Sequence, residues 1–314
     1  MEFRTIVDIP HATFEIRPCE EILLVGSCFA DGIGRKFKEN GFPVISNPYG
    51  TMYNPASILH TIERLLSSGA SDETSPAIPR IVFLTLGTNH IYRLKETGEI
   101  VDNCEKRPAS LFQEEVLTVS QCSDYLRKTV DLLKAHNPEV QVILTISPIR
   151  YRKYGYHESQ LSKATLLLAT SQTSKTSPTS QTSHTSLTSQ TSLTSPTSPT
   201  SKTSLTSPTS LTSPSIYFPA YELLMDELRD YRFYAADMLH PSEQAVDYIW
   251  ERLTAWCFSP EAKSFMEEWR PVRQALSHRP FHPESEEYRH FMAQTQVRLK
   301  ALQDKYPKLK DIQL

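Results

Sequence analysis

A chain of 314 residues with a formal net charge of -3 has no global electrostatic attraction for nucleic acid or for an anionic membrane surface. Its five cysteines are odd in number and contain no C-x-x-C pair, which argues against a disulfide framework, a zinc site or a dithiol centre and for reduced thiols. Met1-Glu2-Phe3-Arg4 lacks the apolar core of a signal peptide, and no later run is long and apolar enough to span a bilayer, so a soluble, cytoplasmic protein is expected.

The first strong element is Ile22-Leu23-Leu24-Val25, a short apolar run that reads as a buried strand and stops at Gly26. Phe29, Ile33 and Phe37 then recur four apart and predict a helix capped at Asn40-Gly41. Asn54-Pro55 opens a second helix with Ile58, Ile62 and Leu65 inward and Gly69 near its end. Ile81 to Leu86 predicts a further strand ending at Gly87. Ser123 is placed as the cap of a helix bearing Leu126, Val130 and Leu133, and Val140 to Ile146 as a strand ending at Ser147-Pro148. A helix is expected from near Gln160. Beyond it come a short strand at Ile216-Tyr217-Phe218, a helix through Leu223 to Leu228, and a helix started by Pro241 that carries Ala245, Ile249 and Leu253. Strands this uniformly apolar, alternating with helices, predict a three-layer α/β/α fold around a mainly parallel sheet. In such sheets the active site lies beyond the carboxyl ends of the strands.

From Thr170 to Pro214 the sequence reads Thr-Ser-x without a break, with isolated leucines that never form an apolar face. Burial cannot offset the entropy of ordering such a tract, so it is read as a disordered insertion in the α/β domain, residues 1–257. Residues 258–314 read as a helical C-terminal extension, with Phe265, Trp269 and Val272 on one face and Tyr288, Met292, Leu299 and Leu302 on another. Packing over the domain and service as a partner surface both stay open for it.

Two segments carry chemistry. Gly26-Ser27-Cys28-Phe29-Ala30 follows the first strand, where glycine permits a tight turn and a helix N-terminus would stabilise a thiolate and lower the pKa of Cys28. Asp237-Met238-Leu239-His240-Pro241 is a D-x-x-H segment able to supply a general base and its orienting carboxylate from one loop. His278 and His282 are four apart, but Pro280 between them breaks the helical face that metal ligation would need, and no metal or cofactor is expected. Arg150, Arg229 and Arg232 offer anion binding or structural ion pairs, and Tyr53, Tyr92 and Tyr217 offer a pocket lining.

The pentapeptide Gly26 to Ala30 resembles the signature of the GSCFA family. The resemblance continues through Asn47-Pro48-Tyr49-Gly50-Thr51-Met52-Tyr53-Asn54-Pro55, Thr85-Leu86-Gly87-Thr88, Ser147-Pro148-Ile149-Arg150, Ser162-Lys163-Ala164, Tyr217 to Glu222 and Asp237 to Ser242, and spans nearly everything outside the Thr-Ser-x tract. More distantly the chain is similar to the SGNH/GDSL hydrolases, which implies a flavodoxin-like α/β/α layout with the nucleophile after the first strand. Laid on the superfamily's Gly-Asp-Ser block, Gly26-Ser27-Cys28 puts Cys28 at the nucleophile position, with Ser27 as the alternative if the turn is shifted by one residue. The resemblance implies His240 as base, Asp237 as its partner, and Asn89 of Gly87-Thr88-Asn89 as an oxyanion donor, with Gly50 as the second donor. His90 stands where the superfamily has aspartate, and its role is open.

The implied function is an acyl-ester hydrolase or acyltransferase working through a covalent acyl-enzyme on a small-molecule or glycan ester, without nucleic-acid or membrane partners. These residues do not separate hydrolysis from transfer, because the two differ only in the second nucleophile. The alternative is a non-catalytic module of the same fold that binds a glycan or a protein partner. Oligomeric state is not legible.

Overall fold

Side chains of the first strand alternate between two separate cores. In β1 (Ile22–Gly26), Ile22 and Leu24 enter one core while Leu23 and Val25 enter the other, the period-two pattern of a strand sealed on both faces. The protein is described by a computed structural model over residues 4–69, 78–102, 104, 107–174 and 215–311.

Along the chain, β1 is followed by α1 (Cys28–Glu39), β2 (Val44–Ser46), α2 (Pro55–Gly69) and β3 (Ile81–Leu86). An excursion of three strands comes next, β4 (His90–Leu94), β5 (Ile100–Val101) and β6 (Phe112–Val116). The chain then resumes with α3 (Val119–His136), β7 (Gln141–Ile146), α4 (Tyr156–Ser174), β8 (Ile216–Tyr217), the short α5 (Ala220–Glu222) with a wide turn after it, and α6 (Glu243–Cys257). Two further helices, α7 (Pro260–Leu276) and α8 (Glu286–Lys305), complete it.

The main sheet has the order β2-β1-β3-β7-β8 and every pairing in it is parallel. This is the flavodoxin-like order, and its reversal of direction falls between β1 and β3, where the carboxyl ends of the strands leave a crevice. α1 and α6 pack on the face that takes Ile22, Leu24, Ile81 and Phe83, and α2, α3 and α4 on the face that takes Val82, Leu84 and Leu144. The fold is therefore a three-layer α/β/α sandwich, as the alternation of strands and helices implies.

One small sheet went unread, and three local readings are corrected. The antiparallel sheet β5-β4-β6 was not anticipated, because its strands are half exposed and lack the continuous apolar runs of the main sheet. α3 is capped by Thr118 in a reciprocal capping box with Gln121, while Ser123 lies inside the helix, its hydroxyl turned to Gln172 at 3.0 Å. Ser242, not Pro241, caps α6. The first residues of the Thr-Ser-x tract are helical, since α4 runs to Ser174 with Thr170 and Thr173 buried; residues 175–214 lie outside those described.

The first of the C-terminal helices packs over the domain. Phe265 packs edge-on against Phe42 at 5.8 Å, and the Trp269 indole donates to the Glu39 carbonyl at 3.1 Å, so α7 is seated on the end of α1. Among the described residues, no helix is long and apolar enough to cross a membrane.

One glycine sets the exit from β1. Gly26 has φ +145°, and a Cβ there would stand 2.1 Å from the Thr85 carbonyl oxygen of the neighbouring strand. Gly26→Ala is expected to destabilise the protein by about 1–3 kcal/mol through overpacking and backbone strain, read by chemical denaturation. Unchanged stability would contradict the close approach.

Candidate active site

The turn after β1 is clamped from three sides. The Gly26 amide donates to Asn47 Oδ1 at 2.8 Å, the Ser27 amide to the Thr85 carbonyl at 3.0 Å, and the Met52 amide to the Gly26 carbonyl at 2.8 Å. Cys28 is thereby fixed as the first residue of α1, at the carboxyl end of the sheet. Ser27 is the N-cap and is 0 % exposed, its hydroxyl accepting from the Phe29 amide and lying 3.2 Å from Thr85 Oγ1. The alternative of Ser27 as nucleophile is corrected by that burial, because its oxygen faces the sheet interior.

Across the crevice, the loop from Ala235 to Pro241 is folded back on itself. The Ala235 amide donates to the His240 carbonyl at 2.8 Å, Tyr234 and Pro241 form an antiparallel bridge, and the Arg150 amide donates to the Leu239 carbonyl at 3.0 Å. Met238 takes φ +58°, a strained value for a non-glycine residue, within this framework. Asp237 Oδ1 accepts from the amides of Leu239 and His240 at 2.9 and 3.0 Å, and Oδ2 lies 2.5 Å from His240 Nδ1. Those two amides and the imidazole hold the Asp237 carboxyl down at about 2. His240 Nε2 then lies 3.5 Å from Cys28 Sγ. With Nδ1–H donating to the Asp237 carboxylate, Nε2 presents its lone pair to the thiol.

Three further expectations are corrected. Burial pushes the Cys28 thiol up from its ordinary value and, with the Asp31 charge, outweighs the lowering by the α1 amides and Lys163. Asn89 does not offer its amide to the crevice, because Nδ2 donates to the Leu117 carbonyl at 2.7 Å and ties β3 to the start of α3. Gly50 has no amide to spare either, since its N–H closes a turn on the Asn47 carbonyl at 2.9 Å.

The crevice is a pocket of about 450 Å³ holding Cys28 and His240 together with Asn54, Tyr53, Tyr92 and Tyr151. His90 forms part of its wall, stacked on Tyr154 at 3.7 Å and hydrogen-bonded to Glu114 at 2.7 Å, so it serves the wall rather than the base. Tyr217 stands outside it, its hydroxyl held by Glu222 at 2.9 Å. Arg150 lines the pocket, whereas exposed Arg232 pairs with Asp230 at 3.0 Å. Among the described residues, no group of three histidine, cysteine, aspartate or glutamate side chains could hold a metal ion.

Sequence reasoning missed the role of Lys163. It is 2 % exposed and donates to the carbonyls of Gly87 and Ser147 at 2.7 and 2.8 Å, joining the loops that leave β3 and β7. The signal was a lone lysine in the apolar stretch from Leu161 to Leu168.

The model described as the GSCFA family matches residues 21–76, 73–183 and 197–253, and the model described as the GSCFA domain protein C-terminal domain matches residues 269–313. The chain belongs to the GSCFA family. No curated protein matches this GSCFA chain. Among solved structures it is similar to a carbohydrate esterase family 3 protein from Talaromyces cellulolyticus, with 10% identity, a TM-score of 0.38, and coverage of 79% of this chain and 99% of that one. It is also similar to an acetyl xylan esterase from the rumen bacterium Butyrivibrio proteoclasticus, with 8% identity, a TM-score of 0.38, and coverage of 76% of this chain and 63% of that one. Superpositions this loose carry no weight for the site.

Two pH responses follow from these environments. A thiol raised above its ordinary value is neutral near pH 7, so alkylation of Cys28 by iodoacetamide is expected to keep accelerating past pH 9. A plateau already reached at pH 7 would indicate a preformed thiolate instead. Burial lowers Lys163 to about 7, below its unfolded value, so between the two the unfolded chain binds the extra proton and stability rises with pH. In denaturant titrations, the stability of the wild type relative to Lys163→Met is expected to increase from pH 7 to pH 10, by up to about 1.4 kcal/mol per pH unit. A difference that stays flat would contradict the lowered value.

Proposed function

We propose that this GSCFA protein is an acyl-transfer enzyme, a hydrolase or acyltransferase of carboxylic esters, with Cys28 as nucleophile, His240 as general base and Asp237 as the orienting carboxylate. The observation that carries the reading is the chain of contacts from Cys28 Sγ to His240 Nε2 at 3.5 Å and from His240 Nδ1 to Asp237 at 2.5 Å. These groups come from segments more than two hundred residues apart, and both face one pocket.

In the first half-reaction His240 takes the thiol proton as the sulfur attacks the ester carbonyl, and Asp237 stabilises the imidazolium so formed. Collapse of the tetrahedral adduct breaks the ester C–O bond, and the departing oxygen takes the proton from His240. A thioester remains on Cys28. In the second half-reaction a water or an acceptor hydroxyl gives its proton to His240 and attacks the thioester, releasing the acyl group and returning the proton to sulfur. The neutral resting thiol suits this order, because proton transfer and attack are coupled through His240.

The substrate is a small-molecule or glycan ester. Tyr53, Tyr92, Tyr151 and Tyr154 give the pocket flat walls for a ring, and Arg150, Arg152 and Lys153 line it without an acidic partner among the described ion pairs. Asp102 in the same pocket is engaged by His60 at 2.9 Å. That balance favours an ester that also carries an anionic group.

Steady-state assays on 4-acetoxybenzoate and on its neutral methyl ester test both parts. Turnover is expected to fall at least about 10³-fold in Cys28→Ala and His240→Ala, and the charged ester is expected to have the higher kcat/KM. Activity that survives His240→Ala would overturn the base, and absence of any turnover with intact ligand binding would favour a binding module.

A further inference from the structure

The corrections to Asn89 and Gly50 leave the tetrahedral adduct without the donors the sequence resemblance implies, yet the pocket contains another. Asn54 is 5 % exposed and lines the pocket beside Cys28 and His240. It sits immediately before Pro55, the first residue of α2, and its Oδ1 accepts from the Ser57 amide at 2.9 Å. That cap does more than close the helix. With the carbonyl end of the amide committed to Ser57, the orientation of the group is fixed and Nδ2 must point the other way.

Among the described residues Nδ2 has no hydrogen-bond partner, and it is absent from the buried orphaned polar atoms, which are Ser57 Oγ, Asn89 Oδ1, Thr145 Oγ1 and the Tyr151 hydroxyl. An unpaired amide that is not sealed off has a solvent-facing side, and at Asn54 the adjoining space is the pocket. The segment is rigid at this point. The Tyr53 carbonyl accepts from the amides of both Gly87 and Thr88 at 2.8 Å, and the Asn54 carbonyl accepts from Ile58 at 3.1 Å. The α2 N-terminus adds its positive dipole end to the same place.

Resting on the acyl-transfer reading, we infer that the side-chain amide of Asn54 is an oxyanion donor, a helix cap that turns its free N–H toward the carbonyl oxygen of the ester attacked by Cys28. The hydrogen bond strengthens as that oxygen gains negative charge and weakens when the carbonyl re-forms, so it acts on the transition state and needs no proton transfer. A donor held in place before the reaction costs no reorganisation during it.

The test separates carbonyl chemistry from thiol reactivity. Asn54→Ser keeps a good cap and removes the amide, and Asn54→Asp keeps both cap and shape and removes the donor. Acylation of Cys28 by p-nitrophenyl acetate passes through an oxyanion, whereas alkylation by iodoacetamide does not. For Asn54→Ser, with thermal unfolding close to wild type, the acylation rate is expected to fall about 10²- to 10³-fold while alkylation stays within about twofold. Asn54→Asp is expected to lose at least as much acylation. Acylation at the wild-type rate in Asn54→Ser overturns the donor, and so does an equal fall in acylation and alkylation, which would mark a disturbed thiol. A wild-type protein that is alkylated at Cys28 and never acylated overturns the acyl-transfer reading itself.

Discussion

At the end of β1 the backbone of Gly26 passes so close to the Thr85 carbonyl that no side chain fits, and the chain turns there directly into α1. The arrangement of the crevice follows from that contact. It brings the first residue of α1 to the edge of the sheet, and it lets the Ser27 amide bind β3 while Met52 binds back to Gly26. The loop after β2 is thereby drawn over the same edge, carrying Tyr53 and Asn54 with it. A sheet that reverses its strand order between β1 and β3 leaves open the space these loops surround.

The electrostatics divide the labour between the two segments. Asp237, bound by two amides and the imidazole, stays ionised far into the acid range and fixes the ring of His240. Cys28, partly buried, keeps its proton at neutral pH despite its place at a helix N-terminus. The helix-end argument alone gives the opposite sign for Cys28, because it omits what burial takes away. An anion desolvated beneath a pocket wall loses more than a single helical turn of amides returns. Lys163 adds a second buried group, whose two carbonyl partners bind the exits of β3 and β7 beneath the pocket.

Much of this was legible in the residues. Ile22 to Val25 and Ile81 to Leu86 announce strands buried on both faces, and Asn54-Pro55 announces a helix start, because each depends on local pattern and propensity. Asp237 and His240 were legible for the same reason, being three residues apart on one loop. The β4 to β6 excursion was not, since its residues are half exposed and offer no continuous apolar run to announce a strand. Asn89 shows the limit of motif reasoning. Its place in Gly87-Thr88-Asn89 fits an oxyanion donor, but the direction of its amide is set by the Leu117 carbonyl, which only the fold brings near. Asn54 is the converse case, a residue read as a helix opener whose second face is visible only in the folded chain.

The central claim is that the Cys28 sulfur carries an acyl group in the reaction. Rapid acid quenching during turnover of an activated acetyl ester, followed by peptide mapping of the intact protein, tests it most directly. The account requires a hydroxylamine-labile acetyl on the peptide containing Cys28, formed and lost at rates compatible with turnover and absent in His240→Ala. Acetyl found on another residue, or turnover with Cys28 unmodified throughout, would contradict it.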